Sequence, residues 1–512
     1  MKRLKNICIK KSRYFLHTHR ISVKMRLASL FIYLTVLTSC SDFLDRDPVE
    51  QTSVDQQMAD VEGVLMALNG AYNSFEALHS SLFFIYADAF GGNVKFAPNA
   101  QGLTPIDNQF ESVYSLAEES NSGTFTSYYN NSYQLLYALN LILNAIEQIE
   151  IDETTYRQIR SEALAMRAAK HFDLLNLFAQ HYTFTSDASH LGVVYANRIF
   201  QAGVDFPARS SVAASYQFVE ADLVEAIDLF TDSSAIGVGP ATSYFNRLNS
   251  LALLSRIYLY QERWDDVLQT TALVLSEQSN LTSREELVDA WAQLAPISET
   301  LLEFSAPPAS DDQNSVRSSV SDYFRVTVGQ NGNVIENRRF STSNDLIQLY
   351  EENDIRGEDG LLQTYMINTR TTDGLEPLPY TFTRKFPGNS GTQYLRLAEV
   401  YLNRAEAFSK LGNDQGAIET LQVVRQRANP DAQLLQMNGE ELQEEIFLER
   451  RRELAFEGHL FFDLMRNKKD LVRNDGCTIN DCNVNYPNNR FIMPIPLQSE
   501  LINENMVQNE GY

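Results

Sequence analysis

Long amphipathic helical tracts constrain the fold of this chain more than any other feature of its sequence. In the segment 61–75, apolar residues such as Val64 and Leu68 recur every three or four positions, which places them on one face of a helix. Between 278 and 394 this pattern loosens into Ser-, Asn- and Gly-rich stretches with strand-like pieces such as 323–328. Further helical tracts are predicted at 131–150, 156–180, 212–231, 247–277, 395–427 and 440–467. We therefore predict a mainly α fold.

Two of these tracts repeat a small–aromatic–small pattern with separations of three and nine residues. The matching residues are Ser255, Tyr258 and Val267 in one tract and Ala405, Phe408 and Ala417 in the other. In tetratricopeptide helix pairs, small residues let two antiparallel helices approach closely and the aromatic side chain fills the groove. Two ordinary amphipathic hairpins are the alternative. The pattern favours a tetratricopeptide-like scaffold of about four helical hairpins, which presents a broad surface rather than a catalytic pocket.

The N-terminal segment indicates export from the cytoplasm. Residues 1–39 contain nine Lys or Arg residues and no Asp or Glu, as targeting leaders do. The apolar run at 27–37 is shorter than the roughly 20 residues that a membrane-spanning helix needs. We predict that 1–39 is a signal peptide, and translation from Met25 would preserve its apolar core.

The apolar run ends in "LTSC", residues 37–40, which resembles the lipobox of bacterial lipoproteins. This resemblance implies that Cys40 is acylated and that 40–55 form a lipidated tether, since two or more acyl chains anchor a protein stably. An incidental cysteine behind a signal peptide is the alternative.

The charge of the chain argues against polyanionic partners. The sequence has 66 acidic and 42 basic residues, which gives a net charge of −24 at pH 7, and loss of the leader would make it more acidic. Nucleic acids and anionic lipid surfaces are bound mainly through Lys and Arg. We therefore predict no nucleic-acid partner and membrane attachment through the lipid anchor alone.

Cys477 and Cys482 lie close enough in "GCTINDC" to close a small disulfide loop in an oxidising compartment. A zinc site is the alternative, although no His or further Cys lies nearby in sequence. The histidines show no H-E-x-x-H spacing, so no metal site and no cofactor are predicted. Acid-rich loops could still hold calcium, although no D-x-[DN]-x-[DN]-G pattern is present.

Four segments, in order along the chain, resemble motifs of the SusD/RagB family of surface lipoproteins found in Bacteroidetes. They are "SEALAMRAAKHFDLLNLF", with Arg167; "TRKFPGNSGTQYLRLAEVYLNRAEAF", with Arg396 and Glu399; "IFLERRRELAFEGHLFFDLMRN", with Glu449, Arg450, Glu453, Glu457, Asp463 and Arg466; and the C-terminal "PIPLQSELINENMVQNEGY". The last segment departs from the family pattern at Glu510, where proline is usual. The resemblance implies an N-terminal SusD-like helical region at 56–277 and a C-terminal SusD/RagB region at 278–512, together forming one unit with an irregular, loop-rich ligand-binding face.

The same resemblance implies a function at the cell surface. Such a protein sits on the outer face of the outer membrane, captures a nutrient, commonly a glycan, and delivers it to a SusC-like TonB-dependent transporter. The aspartates after Cys40 resemble a surface-export signal, although a solvated tether explains them as well. Oligopeptides are the alternative ligand, because another branch of the family binds them. The chain also has only two tryptophans, Trp264 and Trp291, for stacking on sugars.

The resemblance implies that ligand-binding residues lie in the loop after the first helix, here 83–102, and in the irregular middle, here 305–326. A sugar needs aromatic rings against its C–H faces and Asp, Asn or Arg side chains for its hydroxyls. The candidates are Asp88, Asn93 and Phe96 in the first segment and Asp312, Tyr323 and Arg325 in the second. Ordinary core packing is the alternative for each aromatic ring.

A surface glycoside hydrolase is a remote alternative, because Glu449, Glu453 and Glu457 recur every four residues. Such an enzyme needs two carboxyl groups about 5 to 9 Å apart. Arginines interleave with these glutamates, however, and Arg466 follows Asp463 by three positions, so charge pairing is the simpler interpretation. We predict no catalytic residue and no enzymatic activity.

Overall fold

The computed structural model describes residues 54–237, 239–293, 295–304, 320–388 and 391–512. Cys40 and the predicted leader lie outside these ranges. The helices are α1 Val54–Gln57, α2 Val61–His79, α3 Leu82–Gly91, α4 Glu111–Tyr114, α5 Thr126–Ala145, α6 Glu153–Phe178, α7 Val212–Leu229, α8 Arg247–Tyr260, α9 Trp264–Glu277, α10 Arg284–Ala292, α11 Ser321–Phe324, α12 Asn344–Ile347, α13 Leu397–Lys410, α14 Asp414–Ala428, α15 Gly439–Glu453, α16 Leu460–Arg466 and α17 Leu497–Ile502. Residues Met58–Tyr512 form one compact unit.

The described strands are short and pair as two-stranded antiparallel sheets. They are β1 Val94–Phe96, β2 Thr300–Phe304, β3 Val326–Val328, β4 Val334–Asn337, β5 Phe340–Thr342, β6 Leu362–Thr371, β7 Gly374–Thr383, β8 Thr392–Arg396, β9 Leu471–Val472 and β10 Asn483–Val484. The pairs are β1 with β5, β2 with β8, β3 with β4, β6 with β7 and β9 with β10. The strands therefore connect distant segments without forming a layer of their own.

Polar side chains mark the start of the long helices. Asp60, Asp152 and Ser211 each accept a hydrogen bond from the backbone N–H three residues further on. These bonds satisfy donors that have no partner within the helix. Asn246 and Asn249 form a reciprocal capping box at the start of α8.

Consecutive helices pack as antiparallel hairpins, which confirms the predicted scaffold. α5 packs against α6, α8 against α9, and α13 against α14 and α15. The small residues of the repeated pattern, including Ser255 and Ala405, are fully buried. Asn403 also donates a hydrogen bond to Ser255 Oγ at 3.2 Å, which joins the two repeat hairpins.

Two predicted boundaries are wrong. The tract 440–467 is interrupted between α15 and α16, where Phe456 and Gly458 adopt φ angles of 69° and 80°. A Cβ at Gly458 would lie 2.8 Å from the carbonyl oxygen of Phe84, so this turn requires glycine. The segment expected to be a loop after the first helix contains α3, which Ser81 caps and Gly92 ends in the left-handed conformation.

Ion pairs that join segments far apart in sequence lie in the core beside α15. Arg396 at the end of β8 binds Glu299, Glu453 and Glu457. Arg356 binds Asp354, Glu449 and Glu453. Together with their partners, these groups form the buried charge network: Glu299, Asp354, Arg356, Lys385, Arg396, Arg427, Glu449, Arg452, Glu453 and Glu457. Their burial makes them structural residues rather than surface charges.

The remaining residues of the family-like motifs are paired in the same way. Arg167 forms a bidentate pair with Asp222, both bonds being 2.7 Å long. Glu399 receives two bonds of 2.6 Å from Arg256. Asp463 accepts from Arg450 and Arg466. The arginines and carboxylates that identify the family by sequence therefore hold the helices together.

The buried charge network should make the protein sensitive to acid. Burial alone would raise the pKa of Glu449, but Arg356 and Arg452 outweigh it and hold this pKa below its ordinary value. The pKa of Glu457 is lowered likewise by Arg396 and Lys385, against its burial. A carboxyl group with a lowered folded-state pKa stabilises the fold above its unfolded pKa of about 4.3, and this stabilisation is lost as the pH falls through the folded value. We expect the urea midpoint to fall steadily below about pH 4; a midpoint that stays constant down to pH 2 would contradict this.

Candidate functional site

The candidates from the first predicted segment are core residues. Asp88 is fully buried on α3, and its carboxylate accepts bonds from Asn93 Nδ2 (2.7 Å), Phe456 N (2.9 Å) and Gly458 N (2.7 Å). Asn93 is buried as well, and its Oδ1 accepts from Arg451 Nε at 2.8 Å. The polar groups expected to meet a ligand are thus occupied by the chain itself.

Phe96 packs in the core too, at 5.3 Å from the Tyr114 ring and 5.2 Å from the Phe340 ring. Its position follows from the pairing of β1 with β5, which places Phe96 opposite Phe340. The alternative of ordinary core packing therefore describes this residue.

Of the candidates in the second predicted segment that the structure describes, Tyr323 lines a cleft and Arg325 is not among its lining residues. Asp312 lies outside the described residues. Arg325 is half-buried and forms a long ion pair of 3.9 Å with Glu336. Tyr323, on α11, lies along the wall of a cleft of about 960 Å³, and burial raises its pKa to about 12, although Arg339 opposes the rise.

Hydroxyl and amide side chains dominate the lining of this cleft. α2 and the turn after it contribute one side, α5 contributes the floor, and the segment around α4 and the short helix α11 close the other side. The polar lining residues are Ser74, Ser80, Ser81, Asn108, Gln109, Ser112, Ser122, Thr124, Ser127, Asn131, Gln134, Asp322 and Arg339. The hydroxyl and amide groups among them donate and accept hydrogen bonds at neutral pH without carrying charge.

One end of the cleft is charged. Arg339 donates to Gln109 Oε1 at 2.6 Å and pairs with Asp107 at 3.1 Å. Its second terminal nitrogen lies 3.5 Å from Asp322, and its guanidinium lies 5.4 Å from the centroid of the Tyr323 ring. These contacts fix an arginine and a carboxylate side by side at the rim, where both can bind a hydroxyl-bearing ligand.

A buried carboxylate behind the cleft positions two of the lining hydroxyls. Glu118 accepts from Ser112 Oγ, from Thr124 Oγ1 at 2.6 Å and from Thr124 N at 2.7 Å. Ser112 and Thr124 are also hydrogen-bonded to each other at 3.0 Å. Fixed hydroxyls lose little conformational entropy when a ligand binds them.

The two aromatic residues of the cleft expose little of their rings. Tyr128 is 6% exposed and Tyr323 is 9% exposed. Trp264 is partly buried in the core, and Trp291 packs at 5.6 Å from the ring of Phe386. Within the described part of the chain, the cleft therefore presents hydrogen-bonding groups more than aromatic faces.

Asn131, Gln134, Asp322 and Arg339 are absent from the sequence-based candidates. Ser127, Asn131 and Gln134 recur at helical spacing along α5, so a polar stripe on that helix was the available signal. Arg339 had no such signal, because only the fold brings the start of β5 beside α11.

The glutamates considered for hydrolysis do not belong to the cleft. Glu449, Glu453 and Glu457 are buried, and each is paired with a cation of the charge network. Arg427, Arg396 and Arg356 overcome the burial of Glu453 and lower its pKa well below the ordinary value. A general acid in a glycosidase needs a raised pKa, whereas the pKa values of Glu449, Glu453 and Glu457 are all lowered.

Cys477 and Cys482 are joined by a disulfide bond, as predicted. Across the described ranges, no group of three or more His, Cys, Asp or Glu side chains is arranged to hold a metal ion. None of the helices in those ranges combines the length and the apolar composition needed to cross a membrane.

Comparison with known proteins shows which family the sequence matches. Residues 324–512 match the model of the SusD family, and residues 42–259 match the model described as "Starch-binding associating with outer membrane". SusD-like protein P38 of Formosa agariphila is 24% identical, with 86% of this chain and 90% of that protein covered. Starch-binding protein SusD of Bacteroides thetaiotaomicron is 36% identical over 23% of this chain and 21% of its own length. The crystal structure of a SusD superfamily protein from Bacteroides vulgatus superposes with a TM-score of 0.73 at 25% identity, covering 88% of this chain and 99% of that one.

Proposed function

Since this chain belongs to the SusD/RagB family, we propose that it binds a glycan nutrient at the outer membrane and delivers it to a SusC-like TonB-dependent transporter. The cleft beside α2, α5 and α11 is the proposed binding site. The proposal includes acylation of Cys40, which would anchor the protein with its cleft outside the cell. It is a binding function, without catalysis.

The composition of the cleft lining carries this proposal. A glycan presents many neutral hydroxyl groups, and the cleft meets them with Ser, Thr, Asn and Gln side chains and with the Asp322–Arg339 pair. Its volume of about 960 Å³ suits an oligosaccharide, since sites for small ligands measure about 300 to 1,000 Å³. The match to a family described as starch-binding supports the same ligand class.

Affinity electrophoresis and calorimetry distinguish the two ligand classes. We expect native gels that contain starch or laminarin to retard the protein, and we expect no heat from titration with mixed oligopeptides. Heat from peptides together with no retardation by any glycan would identify the oligopeptide-binding alternative. Co-purification of a TonB-dependent barrel from solubilised outer membranes tests the transport half of the proposal.

Removing two amides from the cleft should weaken glycan binding without unfolding the protein. Asn131 and Gln134 are exposed on α5, so replacing both with alanine changes only the surface. Each lost hydrogen bond is worth about 1 kcal/mol, so the double variant should bind about tenfold to thirtyfold more weakly. Calorimetry with the retarding glycan measures the loss. Gln415→Ala, an exposed change on α14, is the control and should bind like the wild type; equal affinities of all three proteins would place the site elsewhere.

A further inference from the structure

The charges around the cleft are paired in a way that bears on which glycans it admits. Asp322 and Arg339 are the charged residues that line it. Neighbouring carboxylates and guanidinium groups form ion pairs with these two residues or with one another. We call the whole set the charged wall: Asp107, Asp322, Arg325, Glu336, Arg338 and Arg339. This wall contains three cations and three anions, so it has no net charge.

Each guanidinium in the charged wall already has a carboxylate partner. Arg338 pairs with Asp322 at 3.4 Å and with Glu336 at 3.3 Å. Arg339 lies between Asp107 and Asp322. An anionic ligand would have to compete with these carboxylates for the arginines, because a guanidinium group that binds the ligand weakens its ion pair with the carboxylate.

A further negative charge lies directly behind the lining. Glu118 is 3% exposed, and its carboxylate is held by Ser112 and Thr124. Among the described residues, no Lys, Arg or His forms an ion pair with Glu118. On the other side, the buried Lys170 donates to the hydroxyl of Tyr128 at 3.1 Å and is paired with Asp173 at 2.9 Å. Arg490 also lies close by and donates to the backbone carbonyl oxygen of Glu118 at 2.9 Å. The described cations around the cleft are thus already engaged by groups of the chain, which as a whole carries a net charge of −24.

We infer that the cleft selects neutral glycans and rejects glycans that carry carboxylate or sulfate groups. Like charges brought together at an interface cost binding energy and exclude wrong ligands. Asp322 is the residue that sets this selectivity, because of the two carboxylates paired with Arg339 it is the one that lines the cleft. This inference rests on the proposed function.

Matched oligosaccharides test the selectivity. Maltohexaose and laminarihexaose are titrated by calorimetry beside their C6-oxidised forms, in which hydroxymethyl groups are replaced by carboxylates. We expect the oxidised form of the bound sugar to bind at least about tenfold more weakly. Equal or tighter binding of the oxidised form overturns the inference and leaves the proposed function standing. Absence of binding to both neutral sugars, together with no retardation in polysaccharide gels, overturns both.

Two variants should shift the selectivity in opposite directions. Asp322→Asn removes one of the two carboxylate partners of Arg339 and leaves Asp107 as the other; it should narrow the neutral-to-oxidised affinity ratio by at least about threefold. Arg339→Gln removes the cation that Asp107 and Asp322 share, leaving Arg338 as the partner of Asp322, and should widen that ratio. Asp205→Asn removes an aspartate from an exposed pair with Arg198, outside the cleft lining, and should leave the ratio unchanged. Circular dichroism confirms folding, and a ratio that moves in the same direction in both cleft variants overturns the role of Asp322.

Discussion

Replacing Arg396 with alanine should lower the free energy of unfolding by about 3 to 5 kcal/mol, the usual cost of breaking a buried ion pair by removing one partner. Arg396 is 2% exposed and donates to Glu453 Oε1 at 2.7 Å, to Glu457 Oε1 at 2.9 Å and to Glu299. Without it, three buried carboxylates would face one another with fewer cations. The loss comes from desolvated negative charge, not from the volume of the side chain.

Urea unfolding followed by circular dichroism measures this effect. Arg247→Ala is the matched control, because Arg247 pairs with Glu277 while both side chains are nearly half exposed. Exposed pairs contribute about 0 to 1 kcal/mol, so the control should unfold close to the wild type. If Arg396→Ala costs no more than the control, the buried charge network does not stabilise the fold as described.

Replacing Asp88 with alanine should cost about 3 kcal/mol, because two buried backbone donors lose their acceptor and each is worth about 1 to 3 kcal/mol. The donors are the N–H groups of Phe456 and Gly458, in the turn between α15 and α16. The substitution should also loosen that turn, which hydrogen exchange of the amides of 456 and 458 would detect. Asp187→Ala is the control, because Asp187 is exposed and its carboxylate accepts a hydrogen bond from Ser189 N in the same loop. Protection of the amides of 456 and 458 should not change in that variant.

The pH dependence of stability distinguishes the role of Asp88 from a general loss of packing. Burial raises the pKa of Asp88 to about 6, although bonds from Asn93, Phe456 and Gly458 limit the rise. A raised folded-state pKa means that the folded protein holds the proton more tightly than the unfolded chain. Stability from this group is therefore greatest below the unfolded value of about 3.9 and declines as the pH rises to about 6. Asp88→Ala should remove this decline, and an unchanged pH profile between 4 and 6 would contradict the assignment.

The candidate ligand site shows which binding residues can be predicted from sequence patterns and which cannot. The aromatic and acidic residues of 83–96 have the composition of a sugar site, yet Asp88 and Phe96 are buried. The composition of a segment does not determine its exposure, because α3 is covered by α16, which lies about 370 residues further along the chain. Among the five candidates within the described residues, Tyr323 alone lies in the cleft lining.

The sequence by itself determined most of the helical tracts, the hairpin scaffold and the family, and it placed Cys477 and Cys482 close enough to form the disulfide that the structure shows. These follow from local periodicity, from residues a few positions apart and from ordered motifs that a linear chain displays. Only the tertiary structure decided that Glu449, Glu453 and Glu457 belong to the buried charge network and that Arg339 meets Asp322 beside Asn131 and Gln134. The physical reason is that burial and charge pairing depend on neighbours brought together by folding, and these neighbours leave no periodic trace in the sequence.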